Sequence, residues 1–341
     1  MSRVILSRLG SSLAAIFGAS IIAFVLLRVL PGDPARLIAG PLASEETIAT
    51  TQEELGLNDP LWVQYWDYIS DFVQGDWGFS FGAGQPVTEQ VENRLPASIE
   101  LALYAFLLAF VCAVACALFI TYRRRPVADA TVRGLSFFGL GTPPFWLGLM
   151  LLIVFFESLS ILPGPEGRLS PGTEPPPSVT RLYTIDALIA GDFGTFWDAV
   201  QHLILPAVAL ALAPFSYLVR LLRASLLEVS REPFIVVARS KGLRRWTAFA
   251  RHALPNAFLP TLTAAGLILA QLLAGSVLVE KVFDWPGVGA LVVDSILRQD
   301  FAVVQAFILL GAVTYVGVNL LVDILYGVID PRVRVPSAAG R

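Results

Sequence analysis

The chain has 341 residues, 55% of them hydrophobic and only 15% charged, with a mean hydropathy of +0.69 and a formal net charge of -3. Those proportions exclude an ordinary water-soluble globular domain and make the lipid bilayer the expected solvent.

A membrane-crossing helix needs roughly 20 mostly apolar residues. Six segments reach that length: about Leu9 to Leu30, Ile99 to Thr121, Leu135 to Leu159, Leu203 to Leu222, Leu259 to Val279 and Val303 to Val328. The first follows Arg3 and Arg8 and shows no small-residue cleavage pattern before the Leu-Arg-Val-Leu-Pro-Gly exit at 27–32, so it reads as a retained anchor. In the loop that follows, Ser44-Glu45-Glu46-Thr47 opens a short helix that Leu55-Gly56-Leu57 closes. Asn58-Asp59-Pro60 starts a second helix that runs to a stop at Gly75. Trp62, Tyr65, Trp66, Tyr68, Ile69 and Phe72 give it an aromatic face. These rings either pack on the mouth of the membrane domain or the interfacial belt, or form a docking surface, with Trp62, Tyr65, Trp66 and Phe72 as its candidates.

Cys112 and Cys116 sit one turn apart in the second span and behave there as small apolar side chains. Pro143-Pro144 breaks the start of the third span, and Pro206 interrupts the fourth. The loop from Pro163 to Gln201 is dense in Gly-Pro and Pro-Pro-Pro signals and is expected to be an irregular lid. His202 is expected at the interface where the fourth span begins. Ala270, Ala274 and Gly275 give the fifth span small residues at close-approach spacing. The third external loop, about 280–302, is short.

Arginines fix the orientation. Arg3 and Arg8, then Arg123, Arg124, Arg125 and Arg133, then a cluster of eight cations from Arg220 to Arg251, and finally Arg332, Arg334 and Arg341 alternate with acidic loops. The positive-inside rule therefore places both termini in the cytoplasm. The two lysines, Lys241 and Lys281, lie in no Gly-Lys-Ser/Thr context, so no P-loop is present. No ionisable group stands near a span midpoint: Glu100, Glu157, Glu280 and Asp323 read as helix-end or packing groups rather than a proton relay. His202 and His252 map to opposite faces, which excludes a shared histidine site, and no metal or catalytic constellation is expected.

The segment from Pro233 to Pro260 is too polar to cross a bilayer and too apolar for a linker. Pro233 suits a first helical turn; Phe234, Val237 and Ala238 make a short apolar face; Arg239 and Lys241 follow, and Gly242 permits a left-handed corner before Leu243. Trp246, Phe249, Ala250, Ala253 and Leu254 then form one stripe, with Arg244, Arg245, Arg251 and His252 largely on other faces. Such a helix–glycine turn–helix fits either anionic lipid headgroups or a groove on a cytoplasmic protein.

Ala238, Gly242, Leu254 and Pro255 match the Glu-Ala-Ala loop of bacterial ATP-binding cassette importer permeases. Ala238 to Leu243 and Arg251 to Leu254 resemble the dipeptide, oligopeptide and nickel branch of that family, although Val236 and Val237 stand at the Glu-Ala positions and His252 replaces the usual isoleucine. The likeness extends through Leu30-Pro31-Gly32-Asp33-Pro34, Glu54 to Leu57, Gly75 to Gly78, Arg94 to Ala97, Leu203 to Ala207, Val279 to Phe283, Trp285-Pro286-Gly287 and Asp330-Pro331-Arg332, in the order found in the first permease subunit of peptide importers.

The resemblance implies an all-α membrane protein: six transmembrane helices of the type I importer permease fold with a small extracytoplasmic helical insertion. Residues 1–30 would be tail and first span, 31–97 the extracytoplasmic insertion, and 98–341 a five-helix core containing a cytoplasmic coupling loop at 229–258. It also implies a non-catalytic subunit in a bacterial inner membrane. Its partners would be a second homologous permease, two cytoplasmic ATPase domains that bind the ATP and magnesium, and an extracytoplasmic solute-binding protein that receives the insertion. The chain itself would hold no cofactor, and nucleic acid is not an expected partner. Phe234, Val237, Ala238, Arg239, Lys241, Gly242, Leu243, Arg251, His252, Leu254 and Pro255 would carry the ATPase coupling. The alternative is a secondary carrier or channel independent of ATP.

Overall fold

The computed structural model describes residues 2–29, 35, 39, 43–54, 56–80, 82–123, 125–274 and 276–329, with side chains omitted at 2–9, 26–29 and 322–329. Leu30-Pro31-Gly32-Asp33-Pro34 and Asp330-Pro331-Arg332, together with Leu55, Arg124, Gly275, Arg334 and Arg341 and the side chains of Arg3, Arg8 and Asp323, lie outside the described residues.

Helix α1 (Ser2–Val29) is followed by α2 (Glu45–Glu54) and α3 (Leu61–Gln74). Ser44 caps α2, its Oγ accepting the Thr47 N–H at 3.1 Å, and Gly75 ends α3 in the left-handed conformation at φ 90°. A two-residue antiparallel hairpin, β1 (Phe79–Ser80) with β2 (Gln85–Pro86), is an addition to the all-helical expectation. Then come α4 (Val87–Arg123), α5 (Pro126–Gly141) and α6 (Pro144–Leu151), which continues as π turns over Leu152–Ser158. The remainder is α7 (Tyr183–Ala190), α8 (Phe193–Val229), α9 (Pro233–Ser240), α10 (Arg245–Leu273), α11 (Val277–Val282), α12 (Val288–Leu297) and α13 (Phe301–Ile329).

Among the described residues four helices, α4, α8, α10 and the Phe301–Leu321 part of α13, are long and apolar enough to cross a membrane. The third expected span differs. It is two helices, α5 and α6, bent by 109°. The cause is the proline pair: each proline pushes the residue before it out of the helical region, and Thr142 and Pro143 are accordingly extended at ψ 122° and 132°. In α1 the described stretch Gly10–Val25 is apolar but shorter than a full span. The fifth span ends at Leu273, earlier than expected, and Val277–Val282 forms a separate helix.

The expected lid is irregular only as far as Leu182: α7 begins at Tyr183, Gly191 stops it at φ 72° and Asp192 starts α8. The Asp192 carboxylate accepts from the Thr195 N–H at 3.0 Å and from the Thr195 hydroxyl at 2.7 Å. These same bonds hold the Asp192 carboxyl below its ordinary pKa.

Helices α4 and α8, 37 residues each and so about 55 Å long, pack side by side and point the same way. From Ala97 to Ala117 every fourth residue of α4 is alanine apart from Leu101, and all six of these are at most 1% exposed. With no large side chains between them, the backbones approach closely, and Leu203, Leu210, Leu218, Leu222 and Leu226 of α8 fill the seam. One end of this pair carries Arg123 and Val229 and is here called the basic end.

The opposite end is closed by buried polar contacts. An Arg168 Nη donates to Glu100 Oε2 at 2.6 Å and to the Arg181 carbonyl at 3.1 Å, with the guanidinium carbon 3.4 Å from the centre of the Tyr183 ring. Glu100 also accepts the Thr184 N–H and hydroxyl at 2.8 and 2.6 Å. Nearby, Glu280 accepts the Ser98 hydroxyl at 2.9 Å and the Ala290 N–H at 3.0 Å, and the Trp285 indole donates to the Ala97 carbonyl at 2.8 Å. Glu100 and Glu280 are thus packing groups, at 1% and 0% exposure. His202 departs from its interfacial expectation: it is buried within α8, Nδ1 2.9 Å from the Asp198 carbonyl oxygen.

Because both members of the Arg168–Glu100 pair are buried, removing one leaves an uncompensated charge. Arg168→Met should destabilise the protein by about 3–5 kcal/mol. Adding Glu100→Gln should recover part of that loss, measured by thermal unfolding in detergent.

Candidate functional site

The basic end of the bundle presents a helix, a glycine corner and a second helix. Glu232 is extended at ψ 145° and Pro233 occupies the first turn of α9. The helix ends in a Schellman arrangement: the Gly242 N–H bonds to the Arg239 carbonyl at 3.0 Å and the Leu243 N–H to the Ala238 carbonyl at 3.3 Å. Gly242 sits at φ 88°, and a Cβ there would meet nothing within 4 Å. Backbone conformation, not space, is therefore what requires glycine at this corner.

The side chain that seats α9 is Ile235, 5% exposed, packed among Leu226, Phe249 and Ala253. The expected apolar face points elsewhere. Phe234, Val236 and Val237 are 45%, 56% and 52% exposed, beside exposed Arg239 and Lys241, while Ala238 and Leu243 are half-buried. Placing Ile235 inward turns its neighbours outward, since residues one apart lie about 100° around a helix. The outward face therefore combines three unpartnered apolar side chains with cationic ones.

The second helix does not stop at Leu254-Pro255. It continues without a break as α10, through π turns at Ala248–Ala253. Pro255 has no N–H and its ring would press on the carbonyl of Arg251; the wider turn immediately before it relieves that clash, with the Leu254 N–H reaching back to Phe249. Of the expected stripe, Phe249 and Ala253 are buried, Ala250 and Leu254 are half-buried, and Trp246 is 56% exposed. Arg251 and Pro255 are exposed and His252 half-buried.

Tyr122, at the end of α4, was not among the expected site residues, yet it anchors this helix. The Arg245 guanidinium donates to its carbonyl at 2.6 Å and lies 4.9 Å from the centre of its ring. The rings of Trp246 and Phe249 stand 5.1 and 5.5 Å from it. An aromatic residue closing an apolar span just before Arg123 is the sequence signal for it. Arg223 of α8 pairs with Asp129 of α5 at 2.6 Å, fixing the neighbouring helix ends. A groove of about 520 Å³ runs beside α9, lined by Arg223, Leu227, Glu228, Arg231, Glu232 and Pro233.

The four aromatic candidates at the other end do not lie on one exposed face. Tyr65 packs between Phe17 and Phe24 of α1 with centroid separations of 6.0 and 5.3 Å, and Phe72 stacks on Trp77 at 5.0 Å. Trp62 and Trp66 remain exposed, at 69% and 60%.

Residues 105–335 match the family described as the binding-protein-dependent transport system inner membrane component, and residues 1–102 match the N-terminal part of such membrane components. Among curated proteins, the chain is 43% identical over 316 residues to the probable D,D-dipeptide transport system permease protein of Escherichia coli K12, covering 93% of each chain. It is 38% identical to the dipeptide transport system permease protein of Alkalihalophilus pseudofirmus, covering 94% of this chain and 95% of that one. The glutathione transport system permease protein of Escherichia coli K12 is 35% identical, over 98% of this chain and 99% of its own length.

If Ile235 is what seats α9, Ile235→Ser should speed amide exchange across 233–243 by about tenfold or more, whereas Val236→Ser, on the exposed face, should leave it unchanged. Hydrogen-exchange mass spectrometry of the detergent-solubilised protein makes that comparison.

Proposed function

The chain belongs to the family of binding-protein-dependent transport system inner membrane components, and from that membership we propose that it is the permease subunit of an ATP-driven importer of di- or oligopeptides. The permease names of its relatives, two of them dipeptide systems, support the peptide assignment. It lines a translocation path with a second homologous permease, is energised by two cytoplasmic ATPase domains that hold the ATP and magnesium, and receives solute from an extracytoplasmic binding protein. Both termini and the 229–258 loop face the cytoplasm, in keeping with the arginines at that end. The chain performs no covalent chemistry of its own.

The observation that carries this reading is α9. A helix with three exposed apolar side chains, flanked by cations, is held at a fixed angle by the Gly242 corner and by the Arg245–Tyr122 contact. A rigid, unpartnered face of that kind fits a groove on another protein. Phe234 and Val237 enter the ATPase cleft; Arg239, Lys241 and Arg251 meet its rim. Ala238, Leu243, His252, Leu254 and Pro255 keep the corner and the start of α10 in shape. ATP favours one arrangement of the ATPase pair, and because α10 is continuous from Arg245 into the membrane, displacement of the corner moves a spanning helix as one body.

Gly242→Val should break this coupling, since a β-branched residue resists positive φ. In proteoliposomes containing the full transporter, uptake should fall by at least tenfold while basal ATP hydrolysis persists. Unchanged uptake per ATP would remove the corner from the mechanism.

A further inference from the structure

We propose that α3 is an in-plane anchor, with Trp62, Trp66, Ile69 and Val73 immersed in the lipid leaflet at the end of the bundle opposite the basic one. The observation behind it is that α3 lies against the apolar stretch Gly10–Val25 of α1 rather than beyond its end. Ser20 donates its hydroxyl proton to the Phe17 carbonyl at 2.7 Å, so the Tyr65 hydroxyl, 2.7 Å away, donates to Ser20 Oγ. Ser20 is five residues inside the end of the apolar stretch of α1 at Val25, about 8 Å at the helical rise. That is within the roughly 5–10 Å to which an interfacial helix buries its apolar face. The Tyr65 ring therefore reaches lipid depth, and α3 must run beside the leaflet.

The surface of α3 divides into three stripes. Tyr65, Tyr68 and Phe72 face the protein, Tyr68 packing on Phe24 and Phe72 on Trp77. Trp62, Trp66, Ile69 and Val73, at i, i+4, i+7 and i+11, form a second stripe that is apolar and outward, with Trp62, Trp66 and Val73 at 69%, 60% and 79% exposure. Asp67, Ser70, Asp71 and Gln74 form the third, and all four are exposed. A helix in water needs one apolar face and has two here. A helix lying in the interface needs an apolar side toward lipid and a polar side toward water, with tryptophans at headgroup level.

Phe17, whose ring meets Tyr65 edge-on, is itself 53% exposed, and Leu13, one turn along the same face of α1, is 65% exposed, so exposed apolar surface of α1 adjoins α3. That continuity selects lipid over protein as the occupant. The inference rests on α1 crossing the bilayer, and not on the transported solute, the ATPases or the direction in which the chain is oriented.

The test is spin-label accessibility in the complete transporter, reconstituted in phosphatidylethanolamine–phosphatidylglycerol vesicles. Single cysteines replace Trp62, Trp66, Val73, Asp71 or Ile22 in a Cys112→Ser, Cys116→Ser background, which removes both native cysteines. Labels at Trp62, Trp66 and Val73 should be accessible to oxygen and shielded from a water-soluble nickel chelate by about fivefold or more relative to Asp71. Val73 gives the same reading if a tryptophan variant fails to fold. Nickel accessibility at all three equal to that at Asp71 would overturn the proposal. So would labels open to nickel alone but shielded once the solute-binding protein is added, because the stripe would then be a protein-docking surface. Ile22 separates the two levels of failure. If it is shielded from nickel and the α3 positions are not, only the anchor fails; if Ile22 itself is open to nickel, the membrane placement of α1 fails with it.

Discussion

Everything at both ends of this molecule depends on the close approach of α4 and α8. In lipid there is no hydrophobic force to drive apolar helices together, so a tight seam must come from shape, and the alanine ladder from Ala97 to Ala117 supplies it. A large residue at Ala105, Ala109 or Ala113 would push the two backbones apart at the middle of the seam. The pair forms a rod about 55 Å long, more than a bilayer needs. Its surplus length projects at both ends, and each projection is used to hold another element.

At the end away from the basic cluster, the surplus positions Ser98 and Glu100, which gather distant segments through buried charge. Glu100 collects Arg168 and Thr184, and Ser98 meets Glu280 and the Val288 N–H. Gly287 is required in that cluster because a Cβ would fall on the Glu280 and Ser98 side chains. At the basic end the same rod delivers Tyr122 to Arg245 and Leu226 to Ile235. A buried ion pair is weak evidence for added stability. Its use here is geometric, since it ties the 159–182 loop to the helix that also sets the far corner.

Much of this was legible in the sequence where a residue's own backbone chemistry decides the outcome. Ser44, Gly75 and Gly242 behave as caps and corners, and the Pro143-Pro144 pair breaks its helix, although as a 109° bend rather than a kink. What escaped was of two kinds. Pairings such as Arg168 with Glu100, 68 residues apart, have no local signature. Helix faces were also obscured, because nearly every residue in a spanning helix is apolar and periodicity no longer separates inside from outside. The alanine ladder was visible only as residue size, and Ile235, which seats α9 on the bundle, carried no signal that set it apart from Phe234, Val236 and Val237. The Ala190-Gly191-Asp192 stop and start was readable but was outweighed by the prolines preceding it.

The central claim is that the outward face of α9 seats in an ATPase subunit. The direct measurement is photocrosslinking from benzoylphenylalanine placed at Phe234, Val237 or Ile235 in the purified, complete transporter, with products identified by mass spectrometry. The account predicts crosslinks to an ATPase subunit from positions 234 and 237, altered in yield by ATP, and none from the buried position 235. Crosslinks from 234 and 237 to lipid alone, with or without ATP, would contradict it.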